Sequence, residues 1–180
     1  MFADCRSRKV LFVAHCLLNQ NAISDGTALY PAAHQLLVEA ILKAKVGIVQ
    51  MPCPELCCLG LDRGDPLGAS RPVVVENTRI RRELEKPDPG RRMGALVEQT
   101  VDQIKEYARH GFEILGVVGV NRSPSCGVDT TSREDREVPG HGVFLEALEL
   151  AMEKAGLVIP VVGVRGVPED LPRVLALLEK

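Results

Sequence analysis

Apolar positions along this chain follow two alternating rhythms. Val10–Ala14 (VLFVA), Val46–Met51 (VGIVQM), Ile114–Val120 (ILGVVGV) and Val158–Val164 are short, largely apolar, β-rich runs. Such runs suit strands buried on both faces. Between them the spacing is helical. Ala28–Lys45 places Leu29, Ala33, Leu36, Leu37, Ala40 and Ile41 on one face, with Pro31 read into the first turn. Met93–His110 carries Leu96, Val97, Val101, Ile104, Tyr107 and Ala108 in the same way, and Gly111 stands where a helix-ending glycine belongs. Val143–Ala155, closed by Gly156, and Asp170–Lys180 are the remaining predicted helices.

Strand–helix alternation predicts a mostly parallel, four-stranded sheet covered on both sides, a Rossmann-like three-layer α/β sandwich. Leu61–Arg92 breaks the rhythm. It is rich in Gly, Pro and Arg, apart from Val73–Val75 and a short helix predicted over Asn77–Glu85. We read it as an insertion or lid of about residues 61–92 within one domain spanning residues 1–180.

Composition narrows the partners. The chain has 180 residues, 46% hydrophobic and 26% charged, with a net charge of −2, so nothing electrostatic favours nucleic acid. Only 3% of residues are aromatic and none is Trp, which removes base-stacking platforms. Arg79-Ile80-Arg81-Arg82 and Arg91-Arg92 are interrupted by Glu83, Glu85 and Asp88 and read as solvated surface. No run reaches the roughly 20 apolar residues of a membrane helix, and the start carries no signal-peptide core, so a cytoplasmic location is expected. The expected partner is a small molecule, and a homodimer is compatible with the chain. In that compartment six cysteines point to metal ligands or reactive thiols rather than disulfides.

Three of those cysteines follow predicted strands: Cys16 in His15-Cys16-Leu17-Leu18-Asn19, Cys53 in Pro52-Cys53-Pro54-Glu55, and Cys126 in Ser123-Pro124-Ser125-Cys126-Gly127. A parallel sheet puts all its carboxyl ends on one edge, where ligands bind. Neighbouring strands would bring the three thiols together, under helix N-termini whose positive ends are expected to lower thiol pKa. Zinc accepts three thiolates, with His15 or His141 as a fourth ligand. A [4Fe–4S] cluster held by three leaves one iron open as a Lewis acid. Spacing does not separate the two. Cys57 and Cys58 read as loop or core thiols and Cys5 as a bystander. No G-x-G-x-x-G follows the first strand, which argues against a dinucleotide site.

Nearby polar residues carry two readings each. Glu55 is a general base beside Cys53 or a carboxylate at a helix start. Ser123 and Ser125 are hydroxyls for a substrate or caps for the next helix. Asp25 precedes Gly26 and binds substrate or makes a turn. Asn19, Asn121, Arg122 and His141 are further polar contacts.

Taken together, Cys16-Leu17-Leu18, Asp25-Gly26, Cys53-Pro54-Glu55, Ser123-Pro124-Ser125-Cys126-Gly127 and Gly140-x-Gly142-Val143 resemble the thiouracil desulfidase family, from about Val10 to Gly156. The resemblance implies a [4Fe–4S] cluster on Cys16, Cys53 and Cys126, with Glu55 and Ser123 at positions implicated in catalysis. Asn19, Asp25 and Ser125 would face a small thiolated substrate. The implied reaction removes sulfur as sulfide from a thiocarbonyl group without net redox change. The chain departs from the family pattern at Asn19 (family Gly), at Ser24 (often Tyr), over Leu56–Arg63 and over Val128–Thr131, which marks a divergent branch. The alternatives are a zinc protein or hydrolase on the same cysteines, and a non-catalytic module that holds a cluster or sulfide.

Overall fold

The computed structural model describes residues 2–179. In chain order the elements are β1 (Lys9–Val13), α1 (His15–Leu18), α2 (Gln35–Lys43), β2 (Gly47–Gln50), α3 (Pro54–Leu59), α4 (Val73–Leu84), α5 (Pro87–Arg109), β3 (Glu113–Val120), β4 (Thr130–Arg133), β5 (Arg136–Pro139), α6 (Val143–Lys154), β6 (Val161–Val164) and α7 (Leu171–Leu178). The main sheet has the order β2-β1-β3-β6, and every neighbouring pair is parallel. Helices α2 and α7 pack together on one face, and α5 and α6 on the other. The expected three-layer α/β sandwich is therefore present.

Burial explains the continuous apolar runs. Leu11, Phe12 and Val13 of β1 and Val117 and Val118 of β3 have no solvent exposure, because they lie between the two helical layers. Fully burying side chains of this size contributes about 1.5–3 kcal/mol each. The register aligns the strand ends: Val13 sits opposite Gln50 of β2 and Val118 of β3. The backbone continues that alignment, with Ala14 N–H donating to Val118 O and Met51 N–H to Val13 O, both at 2.9 Å. The three segments that leave β1, β2 and β3 thus start at one level on one edge.

Four features differ from the sequence expectation. First, α2 begins at Gln35, so Ala28–His34 is not helical and Pro31 lies outside the helix. The segment is tied to the start of the chain instead: Leu29 N–H donates to Gln20 Oε1 at 2.9 Å, and His34 N–H to Leu17 O at 2.8 Å. Second, the apolar Val73–Val75 run opens α4, which packs along β4 and β5. Third, α5 starts at Pro87, six residues before Met93. Prolines 87 and 89 are tolerated there, since first-turn N–H groups have no intrahelical acceptor. Much of residues 61–92 is consequently helical. Fourth, the β4–β5 hairpin has no counterpart in the sequence expectation. Its turn residues Glu134 (φ 52°) and Asp135 (φ 60°) both take left-handed backbone, the primed turn that suits a two-residue hairpin. No helix among the described residues is long and apolar enough to cross a membrane.

Candidate thiol-lined site

Each of the three segments delivers one thiol. Directly after β1, the four-residue α1 carries Cys16 in its first turn, and buried Leu17 anchors it. After β2, Cys53 is the N-cap of α3, and its Sγ accepts the Leu56 N–H at 3.4 Å. Pro54 follows at the first helical position, and Glu55 is buried in the first turn.

After β3 the chain makes a tight loop around Cys126. Ser123 Oγ accepts N–H bonds from Ser125 (3.2 Å) and Cys126 (3.0 Å). The first N–H groups of α6 are spent on this loop: Val143 donates to Pro124 O (3.0 Å), and Phe144 and Leu145 donate to Ser125 O (3.0 and 3.1 Å). Backbone lies against backbone here. A Cβ on Gly142 would stand 2.3 Å from the Ser125 carbonyl carbon, and one on Gly127 would stand 2.4 Å from Thr130 O. That contact explains why the glycine motif and the cysteine loop occur together in the sequence.

Cys16, Cys53 and Cys126 line one cavity of about 270 Å³, together with Glu55, Ser123 and Ser125. Glu55 is 6% exposed and its carboxylate is fully engaged. Oε1 accepts from Ser125 Oγ at 2.6 Å, with Ser123 Oγ 3.4 Å away; Oε2 accepts from Ser24 Oγ at 3.0 Å and Arg63 Nε at 3.1 Å. Ser125 has one hydroxyl proton, and the short bond assigns it to Glu55. Its oxygen then accepts from Ser123 Oγ, 3.2 Å away, which gives the chain Ser123–Ser125–Glu55.

Arg63 and Ser24 were not singled out by sequence reasoning. Arg63 is 3% exposed and takes left-handed backbone, φ 56°. Its guanidinium also donates to Ala22 O (2.6 Å), Leu61 O (2.8 Å) and Gly60 O (3.2 Å), and Nη2 lies 4.0 Å from Cys53 Sγ. Its own carbonyl accepts from Arg79 Nη2 at 2.9 Å, and Arg79 is paired to Glu76 at 2.6 Å. The only hint in the sequence is proximity to the C-P-E motif, since an arginine in a Gly- and Asp-rich loop ordinarily reads as solvated.

The electrostatics reverse one expectation. Burial, followed by the charges of Cys53 and Glu55, pushes the Cys16 thiol up to about 12. Burial and then Glu55 push Cys53 to about 12 as well. Cys126 is raised well above its ordinary value by burial, then by Cys53 and Cys16. Desolvation and mutual repulsion outweigh the lowering influences, which include the Leu56 N–H bond and the Arg63 charge on Cys53 and the Ser125 hydroxyl on Cys126. Three thiols beside a carboxylate hold their protons until a cation compensates them, so metal binding here is coupled to proton release. His15 also lines the cavity, and burial followed by the Arg63 charge lowers its pKa. Its Nδ1 meets Gln50 Nε2 at 2.6 Å, while its buried Nε2 has no partner.

Other candidates lie apart. Asn19 is not on the cavity wall; its Oδ1 accepts the Asn21 N–H at 3.1 Å. Asp25 lines a separate cavity of about 50 Å³ beside Asp62 and Asp65. His141 pairs with Glu149 at 3.2 Å and is also off the wall. Asn121 and Arg122 do line the cavity. Cys5 and Cys57 are exposed, and Cys58 packs with Ile80, Leu84 and Val143.

As the side chains stand, no group of three or more His, Cys, Asp or Glu among the described residues is arranged to hold a metal ion. A single zinc needs its sulfurs about 4 Å apart, given Zn–S bonds of about 2.3 Å. A cluster places a different iron under each thiolate, so its ligands stand further apart. Three thiols lining one open cavity fit such a group in kind and number.

No protein-family model matches this chain. An uncharacterized protein of Methanocaldococcus jannaschii is 26% identical over 175 residues, covering 97% of each chain. A [4Fe–4S]-dependent thiouracil desulfidase of solved structure aligns over 94% of this chain and 99% of its own, with 17% identity and a TM-score of 0.49.

Proposed function

We propose that this protein is a desulfidase that replaces the sulfur of a thiocarbonyl compound with the oxygen of water and releases the sulfur as sulfide. One observation carries the reading: three cysteines far apart in sequence line the same cavity as a buried carboxylate in a serine relay. The motif resemblance supplies the nature of the group held there, a [4Fe–4S] cluster on Cys16, Cys53 and Cys126. Bound with an open iron, that group supplies a soft Lewis acid for the thiocarbonyl sulfur.

The remaining chemistry belongs to side chains. Arg63 holds Oε2 of Glu55 and thereby directs Oε1 toward the two serines. A water at Ser123 Oγ passes a proton along Ser123 and Ser125 to Oε1, and its oxygen bonds to the thiocarbonyl carbon. As the carbonyl forms, the added hydroxyl gives its remaining proton to the sulfur, the carbon–sulfur bond breaks, and Glu55 returns the first proton to the departing sulfur, so both protons of the water leave on it. Overall, thiocarbonyl plus water gives carbonyl plus hydrogen sulfide, with no electron transferred. The apolar share of the wall, from Leu17, Ala22, Ile23, Leu29 and Val120, suits a small planar ring.

The test is sulfide release from thiouracil and other small thioamides by anaerobically reconstituted protein, with Glu55→Gln alongside. The reading predicts turnover in the wild type and a loss of 10²-fold or more in the variant, the usual span of general acid–base contributions. Equal rates in the two proteins, or turnover by a zinc-loaded, iron-free sample, would contradict it.

A further inference from the structure

Arg63 does not hold the Glu55 carboxylate alone. Ser24 Oγ donates to Oε2 at 3.0 Å, beside the Arg63 Nε bond at 3.1 Å. A carboxylate oxygen has two lone pairs, so two donors occupy Oε2 and leave proton traffic to Oε1. Ser24 and Arg63 are also the two residues that line both the thiol cavity and the smaller cavity of Asp25, Asp62 and Asp65. They form the partition between the two, and Oε2 is bonded to that partition. The segment that carries Ser24 has anchors of its own. Arg63 Nη2 donates to Ala22 O at 2.6 Å, Thr27 Oγ1 donates to Ser24 O at 2.6 Å, and Leu29 N–H donates to Gln20 Oε1 at 2.9 Å. None of these bonds uses the Ser24 hydroxyl. The backbone therefore holds Ser24 in place whether or not its side chain reaches Glu55.

We infer that Ser24 is a positioning residue: with Arg63, its hydroxyl fixes Glu55 so that Oε1 meets the Ser125 hydroxyl. The inference rests on the desulfidase reading of the cavity given above. Ser24 does not lie on the proton path, which runs from Ser123 through Ser125 to Oε1. Its contribution is geometric. Arg63 reaches Oε2 through one nitrogen, and a single donor leaves the carboxylate free to turn about that contact. A second donor, supplied by a different segment of the chain, removes that freedom. Displacing a reacting group by about 1 Å costs up to 10²-fold in rate. The same stretch, Ile23-Ser24, forms part of the cavity wall. One segment thus sets both the wall against which a substrate ring lies and the group that handles its proton.

The experiment compares anaerobically reconstituted wild type, Ser24→Ala, Ser24→Thr, Glu55→Gln and Ser24→Ala/Glu55→Gln, with thiouracil as the probe and rates expressed per iron bound. Ser24→Ala should lower kcat about tenfold, near the lower end of what a hydrogen bond to a charged group is worth, and leave KM within about twofold of the wild type. Ser24→Thr keeps the hydroxyl and should stay within about threefold of the wild type. Adding Ser24→Ala to Glu55→Gln should change the rate by less than about twofold, because a residue that acts through Glu55 then has nothing to position. A wild-type rate in Ser24→Ala, a loss confined to KM, or a further loss of about tenfold in the Glu55→Gln background overturns this inference and leaves the desulfidase reading standing. Absence of turnover by iron-loaded wild type overturns both. A second measurement needs no iron and decides the matter should Ser24→Ala load poorly. In cluster-free protein, unfolding of the single and double variants forms a cycle in which Ser24 and Glu55 should couple by about threefold or more in the unfolding equilibrium constant. Independent effects of the two substitutions overturn the inference.

Discussion

Replacing Arg63 with methionine tests the electrostatic frame of the site without involving the metal. The substitution keeps a long apolar stem but removes the guanidinium, and with it the bonds to Glu55 Oε2, Ala22 O, Leu61 O and Gly60 O. Glu55 is left as a buried carboxylate supported only by hydroxyls. Breaking a buried pair by deleting one partner costs about 3–5 kcal/mol, because the surviving charge stays desolvated. At a urea m-value of about 2 kcal/mol/M, the unfolding midpoint of cluster-free protein falls by roughly 1.5–2.5 M. Urea titration followed by circular dichroism measures this directly. The double variant Arg63→Met/Glu55→Gln has no stranded charge and regains part of the loss, a coupling of about 0.5–3 kcal/mol. A drop below about 0.5 M for Arg63→Met equals the value of an exposed surface pair and would refute the claim that Arg63 and Glu55 form a buried unit.

Three further outcomes are expected. In cluster-free protein at pH 8, iodoacetamide modifies exposed Cys5 and Cys57 first, whereas Cys16 and Cys53, raised to about 12, react far more slowly; mass spectrometry at short times shows the order. The Glu76 carboxyl is held below its ordinary 4.5, first by hydrogen bonds from Arg79 and then by Arg71. Its stabilisation is therefore complete above the unfolded pKa and is lost as pH falls through the lower folded value. Glu76→Gln should cost stability near pH 7 and progressively less below about pH 4.5, as unfolding curves at several pH values would show; a pH-independent difference would contradict this. Gly142→Ala forces its Cβ against the Ser125 carbonyl, 2.3 Å away, and should destabilise the protein by more than 1 kcal/mol and lower iron uptake, since the Cys126 loop must shift.

Legibility in the sequence followed burial. The strands around Phe12 and Val117 read correctly because both faces are covered, and the all-parallel sheet followed from the alternation with helices. Segments ruled by distant contacts did not read correctly. Ala28–His34 has helical spacing but is an irregular, bent segment, held by the Leu29 and His34 N–H bonds to Gln20 and Leu17. Val73–Val75 has strand composition but begins a helix, fixed from outside by bonds such as Asn77 Nδ2 to Arg122 O at 3.2 Å. The β4–β5 hairpin turns on Glu134-Asp135 rather than an Asn-Gly pair, so no turn signal announced it. Within the site, strand ends placed the cysteines, but the Arg63–Glu55 pair joins two segments whose relation only the folded loop establishes. The rise in thiol pKa was hidden for the same reason, since it comes first from burial in the folded cavity and then from the neighbouring thiols and Glu55.

Whether the three thiols act as one set is decided most directly by counting iron. After anaerobic reconstitution and removal of unbound metal, the wild type should hold about four irons and four sulfides per chain, with the broad visible absorption of an iron–sulfur cluster. Alanine at Cys16, Cys53 or Cys126 should each abolish stable loading, while alanine at Cys57 or Cys58 should not. Full loading in any of the first three variants, or one tightly held zinc per wild-type chain in place of iron, would contradict the account.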